Sequence, residues 1–300
     1  MQLHQGPWTS GQRIRAAVGV LLLVGFCFQV QRLFDRNAEG PAAAAPEALG
    51  GHVAFAKIEP PKIEPGDSYE RMAQTDPLRL LRIALDKYDH SVRDYVVTFT
   101  KQELVGSRMT AEQETRVKFR EEPFSVNMLW TRNADKVRRA IYVEDKWTGD
   151  HGEKLAIVEP AGAIARFFVD YVKRPIDGPD ARKAARRRLD QFGFRNSLRL
   201  ILKYCDKAAE RGELGLAYLG SGEIDGRPTY VIERRLPYNG DETLYPDRVL
   251  VVHLDKELLL PTCCEAYADD AKTKMLGRYM LTDAEFNVGL TDADFKPTAE

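Results

Sequence analysis

The chain is poor in the residues that carry metal and redox chemistry. Its 300 residues hold four cysteines (Cys27, Cys205, Cys263 and Cys264) and five scattered histidines. No Cys-x-x-Cys, His-x-x-x-His or His-Glu-x-x-His spacing occurs among them, so a zinc site has no basis in the sequence and no metal or other cofactor is expected. The Gly-x-Gly-x-x-Gly turn, the phosphate-binding loop and the Gly-x-Ser-x-Gly elbow are missing too, which removes the common nucleotide and hydrolase signatures. Charge of one sign is not in surplus: 44 Lys and Arg face 45 Asp and Glu, for a net charge of -1. Such a chain has no global field to draw in nucleic acid, and none is expected as a partner.

Long hydrophobic runs are absent with one exception. Residues 16–28, AAVGVLLLVGFCF, are apolar and uncharged, with Arg13 and Arg15 before them and Arg32 and Arg36 after. The run is short of the ~20 residues of a comfortable transmembrane helix and matches the core of a signal peptide at least as well. A small-x-small cleavage site should then follow closely. Instead Gln29-Val30-Gln31-Arg32-Leu33-Phe34 follows, and the only alanine run, Ala42 to Ala45, lies further on. The expectation is an uncleaved anchor that contacts the membrane through residues 16–31 and exports what comes after; a cleaved, released form is the alternative. Residues 1–34 are thus the signal or anchor segment. Residues 35–75 carry Gly40-Pro41, Pro46, Gly50-Gly51, Pro60-Pro61 and Pro65-Gly66, too many breakers for helix or strand, and are expected to form a disordered tether.

The folded part is expected over 76–300. Asp76-Pro77 is an N-cap followed by a first-turn proline, and Leu78, Leu81, Leu85, Tyr88 and Val92 follow at helical spacing. From Tyr95 the period drops to two, through 95–100, 115–120, 124–130, 140–143 and 154–158, which predicts antiparallel strands. A polar, basic helix is expected over 180–188 and an apolar stripe from Leu189 to Cys205, interrupted at Gly193. Strands return over 216–219, 229–233, 249–254, 263–267 and 276–286, the first two joined across the Asp225-Gly226 turn. This order gives an α+β domain, one long antiparallel sheet with helices on its concave face.

Several segments resemble a bacterial family of unknown function and, more distantly, the LolA/LolB-like superfamily of outer-membrane lipoprotein carriers. The resemblance is carried by Asp225-Gly226-Arg227-Pro228-Thr229-Tyr230, by Val252-His253-Leu254-Asp255-Lys256-Glu257 with Leu260-Pro261, by Tyr279-Met280-Leu281-Thr282-Asp283, and by the closing Asn287-Val288-Gly289-Leu290-Thr291-Asp292-Ala293-Asp294-Phe295. Lys118-Phe119-Arg120, Pro123-Phe124-Ser125-Val126 and Arg139 to Val143 fit the same pattern. The resemblance spans roughly 76–297. It implies an incomplete antiparallel β-barrel, helices over its mouth, and an apolar cavity for acyl chains. It also implies a place on the periplasmic side of the inner membrane, with an acyl chain or a lipoprotein as partner. A stress sensor that binds an envelope protein is the alternative use of such a fold. No catalytic residues come with the resemblance, and the chain is not expected to be an enzyme.

Candidate site residues follow from both lines. Phe99, Phe119, Phe124, Trp130 and Tyr142 on strands, with Phe192 and Phe194 near the central helix, are the candidate lining of an apolar cavity, and Phe167 and Phe168 lie close by in sequence. For any one of them taken singly, ordinary core is the favoured reading. Arg182, Lys183, Arg186, Arg187 and Arg188 put five positive charges into seven residues, a candidate headgroup surface or else a solvated face paired with local acids. Cys263 and Cys264 point to opposite faces of one strand, so at most one can meet Cys205. Glu144, Asp145, Asp150 and Glu153 sit beside Gly149 and Gly152 and are expected to be a solvated loop rather than an acid/base pair.

Overall fold

The computed structural model describes residues 68–162 and 169–297. The expected anchor over 1–34, most of the expected tether, and Phe167 and Phe168 lie outside the described residues. Among those described, no helix is long and apolar enough to cross a membrane.

Helix α1 (Ser68–Thr75) occupies the end of the stretch expected to be tether, with Ala73 fully buried. The folded part therefore reaches at least eight residues further back than Asp76. The breakers that marked the tether all lie before Ser68, and Tyr69 and Met72 pack beside Ala73 on the aliphatic core to seat this helix. Helix α2 (Pro77–Ser91) starts where the sequence places it: the Asp76 carboxylate accepts from the Arg79 amide at 2.9 Å, and Leu80, Leu81, Ala84 and Tyr88 form its buried face.

Among the described residues twelve strands then form one antiparallel sheet. They are β1 (Asp94–Val105), β2 (Arg108–Met109), β3 (Gln113–Arg120), β4 (Ser125–Arg132), β5 (Val137–Val143), β6 (Leu155–Pro160), β7 (Val172–Pro175), β8 (Gly215–Ile224), β9 (Arg227–Arg235), β10 (Val249–Asp255), β11 (Pro261–Tyr267) and β12 (Met275–Phe286). Their order is β7-β6-β5-β4-β3-β1-β12-β11-β10-β9-β8, with β2 appended to β1. β7 and β8 are the two edges and do not pair with each other, so the curved sheet stays open. The first and last strands of the sequence, β1 and β12, meet at its middle, with Phe99 opposite Leu281 and Lys101 opposite Tyr279. The Asp225-Gly226 turn has φ +51° and +72°, the two left-handed residues that a two-residue hairpin needs, and it sets the β8–β9 register.

The helical centre departs from expectation. Helix α3 (Pro179–Ala184) buries no residue and ends four residues before Arg188. A run of like charges has no apolar stripe to hold a longer helix on the sheet, and Arg186 turns inward to Glu242 instead. A 3-10 turn (Leu189–Gln191) follows, and helix α4 (Phe194–Ala209) starts only after Gly193. That glycine has φ +109°, and a Cβ on it would meet the Tyr95 hydroxyl at 2.9 Å and the Phe119 ring at 3.1 Å. Only glycine fits there.

Two clusters fill the inner face. Under α1, α2 and α4 lies an aliphatic core that includes Leu80, Leu81, Leu198, Ile201, Leu202, Ile232, Val252 and Leu254. Toward β3–β6 it gives way to an aromatic cluster. On the opposite face of β5 and β6, Ile141, Val143 and Ile157 are covered by the C-terminal stretch through Leu290 and Phe295.

Candidate functional site

The structure gathers all seven candidate aromatic residues into one cluster. Tyr95, Val97 and Phe99 alternate inward from β1, Val117 and Phe119 from β3, Val126, Met128 and Trp130 from β4, and Tyr142 from β5. Phe192 and Phe194 come down from the segment around Gly193. The rings pack against one another: Tyr95 stacks on Phe119 at 4.7 Å between centroids, Phe192 meets Phe99 at 5.1 Å and Phe119 at 6.0 Å, and Phe124 meets Phe119 at 5.2 Å and Tyr142 at 6.0 Å. Phe99, Phe119, Tyr142, Phe192 and Phe194 are buried, whereas Phe124 and Trp130 are half-buried at the rim. Each ring thus fills the space next to its neighbour. What sets this cluster apart from the aliphatic core is that part of its cover, Leu189 and Phe192, comes from a 3-10 turn and a loop, beside Tyr88 of α2 and Phe194 at the start of α4.

Sequence reasoning missed the polar end of this face. Lys101 and Glu103 continue the alternation of Tyr95, Val97 and Phe99, and that spacing was the available signal. Both are buried: the Lys101 ammonium lies 2.7 Å from Glu103 Oε2, and the Tyr279 hydroxyl donates to Glu103 Oε1 at 2.9 Å. Burial pushes the Tyr279 hydroxyl far up, against the opposing pull of Arg186 and Arg187. The inner surface of β1 and β12 thus runs from aromatic to ionic over three alternating positions.

A second polar knot ties α2 and α4 to the β3–β4 turn. Tyr88 donates to Glu121 at 2.5 Å, while Arg195 reaches Glu121 at 2.8 Å and Asp89 at 2.6 Å. Burial raises the Glu121 carboxyl above the ordinary range, and its hydrogen bond from Tyr88 and the nearby Arg195 only partly offset this. Beside the middle of α4, Arg234 is 2% exposed and grips Asp247 through two bonds of 2.9 Å, with a third to the Ile201 carbonyl.

The basic run is divided. Arg186 is spent on Glu242 and Arg188 on Asp190, while Arg182 and Lys183 stand exposed on the last turn of α3 and Arg187 is half-buried. Among the described residues the cysteines are unpaired: Cys205, Cys263 and Cys264 are free. Cys205 and Cys264 share the aliphatic core, whereas burial pushes the Cys263 thiol up to about 12. Glu144, Asp145 and Asp150 are exposed and Glu153 half-exposed around the β5–β6 turn, Glu144 lying 3.8 Å from Lys154; they form the solvated loop expected of them. Among the described residues no group of three His, Cys, Asp or Glu is arranged to hold a metal ion.

The segments that carried the resemblance serve as joints of the fold. Arg227 makes a two-bond pair with buried Asp255 at 2.6 and 3.0 Å, joining the β8–β9 and β10–β11 hairpins. Asn287 accepts from the Arg93 amide and donates to the Ser91 carbonyl, which ties the end of β12 to the end of α2. Asp292 and Asp294 pair with Arg120 and Lys118, and Phe295 is fully buried.

Residues 92–300 match a family model described as a protein of unknown function (DUF1571). No curated protein matches the chain. Among solved structures, the crystal structure of MucB is similar over 75% of this chain and 64% of its own, at 14% identity and a TM-score of 0.45, so the chain spans just under two thirds of MucB. The Mycobacterium tuberculosis lipoprotein LppX is similar over 72% and 99%, at 16% identity and 0.39. A LolA superfamily protein from Nitrosomonas europaea is similar over 72% and 97%, at 11% identity and 0.29.

Proposed function

The chain belongs to the DUF1571 family of proteins of unknown function, and we propose that its folded part is a non-catalytic lipid- or lipoprotein-binding module of the bacterial cell envelope that takes an acyl chain on the inner face of its sheet. One observation carries this reading: a mostly aromatic inner face is covered in part by a loop-borne side chain, Phe192, next to Gly193 with its positive φ. Moving a loop residue unmakes no helix, so Phe192 is the ring most cheaply displaced by an incoming chain. The acyl chain then lies along Phe99, Phe119, Phe124, Trp130 and Tyr142, and its polar end falls beside Lys101 and Glu103. An apolar wall with a few placed polar groups is the usual make-up of such a site.

The module sits on the periplasmic side of the inner membrane, held by an anchor over residues 16–31. A reporter active only outside the cytoplasm, fused after Glu64, should be active; an inactive fusion removes the export.

The binding itself is tested with a fluorescent fatty acid and by native mass spectrometry of lipids that copurify. Phe192→Ala should bind the probe at least as well as the wild type, while Phe124→Asp and Trp130→Asp, at the half-buried rim, should lose it and keep their circular dichroism. If the wild type binds no probe and carries no lipid, the reading fails and an envelope sensor that binds a protein becomes the better account.

A further inference from the structure

We propose that edge strand β7 and helix α3 form a docking surface for an anionic lipid bilayer. This deepens the reading above by giving the lipid-binding module the place where it meets its membrane. Three observations converge on this edge. Val169 and Tyr171, each 42% exposed, are two of the three large apolar side chains standing exposed among the described residues, and they immediately precede β7. Lys173 and Arg174 follow on β7 itself, both exposed, and because neighbours on a strand point to opposite faces they place positive charge on both sides of the edge. Arg182 and Lys183 add two more exposed cations on α3, a helix with no buried residue.

None of these four cations is in an ion pair with a described residue, unlike Arg186 and Arg188 in the same stretch. Residues 169–188 carry seven basic and three acidic side chains in a chain whose net charge is -1. The surface therefore pairs exposed apolar groups with unmatched positive charge, the complement of a bilayer whose headgroups are negative and whose interior takes Val and Tyr side chains. β7 lies at the rim of the sheet, next to β6 and two strands from Tyr142, so a docked edge would bring the aromatic cluster close to the lipid source.

The test uses the full chain, with an environment-sensitive fluorophore on Val169→Cys in a Cys27→Ser background. The remaining thiols are buried or half-buried with raised pKa, which keeps the label on position 169. Residues 16–31 are the same in every sample, so the difference between anionic and neutral vesicles, and between the wild-type and charge-reversed chains, is the readout of this surface. Vesicles of phosphatidylglycerol and phosphatidylcholine should blue-shift the fluorophore, vesicles of phosphatidylcholine alone should not, and added salt should reverse the shift. Replacing Lys173, Arg174, Arg182 and Lys183 by Glu should weaken the response at least about tenfold, since each basic residue near such a surface is worth roughly fivefold. All four are exposed, so the reversed chain should fold, as circular dichroism would verify. No shift on anionic vesicles, an equal shift on phosphatidylcholine, or a shift retained by the reversed chain overturns the proposal. Fatty-acid binding by the same samples separates the two readings: binding without a shift refutes the docking edge alone, and a shift without binding supports the edge and refutes the acyl site alone.

Discussion

Phe295→Ala tests whether the closing Asn-x-Gly-Leu-x-Asp-x-Asp-Phe stretch is a structural clamp. Phe295 is fully buried against Ile141, Val143 and Ile157, with Trp147 and Leu290 at the margin, and the Arg120 guanidinium lies 4.9 Å above its ring. Truncating a buried Phe costs about 3–5 kcal/mol where the surroundings cannot close, and the cation–π contact adds about 0.5–1 kcal/mol. The polar contacts on the same stretch are weaker holds. Lys118–Asp294 at 2.7 Å and Arg120–Asp292 at 2.8 Å are partly exposed pairs, and the Asn127 side chain donates to the Asp294 carbonyl at 2.7 Å. Because the segment follows the last strand, it has an escape: it can peel off as a unit and leave the rest of the sheet folded. The loss in global stability is then capped at the docking energy of the segment, and the remainder appears as local opening. Urea denaturation with hydrogen exchange distinguishes the regimes. The expected result is either a loss of about 3 kcal/mol or more, or a smaller loss with amide protection gone over 287–297. A variant within about 1 kcal/mol of the wild type with protection unchanged there would refute the clamp. Acid should open it as well: their lysine and arginine partners hold Asp294 and Asp292 below the ordinary carboxylate range, so this stabilisation is present above the unfolded pKa and lost as pH falls through the folded one.

Two further outcomes follow from the polar knots and a third from Gly193. Asp247→Asn leaves the Arg234 guanidinium buried without its counter-charge and should cost about 3–5 kcal/mol in thermal or urea unfolding; a loss below about 1 kcal/mol would mean that water reaches Arg234. The Glu121 carboxyl is raised by burial, so its contribution is greatest below the unfolded pKa and is lost as pH rises through the folded pKa. Wild type should therefore lose stability relative to Glu121→Gln as pH rises above the ordinary carboxylate range, about pH 4, and parallel stability curves would count against that assignment. Gly193→Ala should destabilise the junction between the 3-10 turn and α4, because the new Cβ meets Tyr95 and Phe119; an unchanged Tm would show that the junction gives way freely.

The sequence made the sheet legible because the alternation in β3 and β4 is nearly unbroken, and the Asp225-Gly226 turn names its own geometry. It could not show which strands are neighbours: β1 and β12 are 181 residues apart from Asp94 to Met275, and nothing local records that they pair. The 180–188 segment reads as helix by composition, yet helix needs a face to bury, and the residue that decides its path, Arg186, does so through Glu242, 56 positions away. Lys101 and Glu103 were hidden for a related reason. As isolated residues they look like solvent-facing positions, and only the phase of the strand, fixed by Tyr95 and Phe99, turns them inward.

The quoted motifs have a different lesson. Arg227, Asp255, Asn287, Asp292, Asp294 and Phe295 all fall where distant parts of the chain are fastened together: hairpin to hairpin, helix end to strand end, closing segment to outer face. Residues that fasten the fold identify it well, since few substitutions keep a two-bond Arg–Asp pair or a fully buried ring. They bear on the aromatic face only by keeping β1, β3 and β12 in register. The aromatic face is the reverse case: Phe, Tyr and Trp exchange there at modest cost so long as volume is kept, and no short motif marks it. The distinguishing feature of this face is its cover around Gly193, where α4 enters the cluster with its first residue, Phe194, and leaves Phe192 on the loop before it.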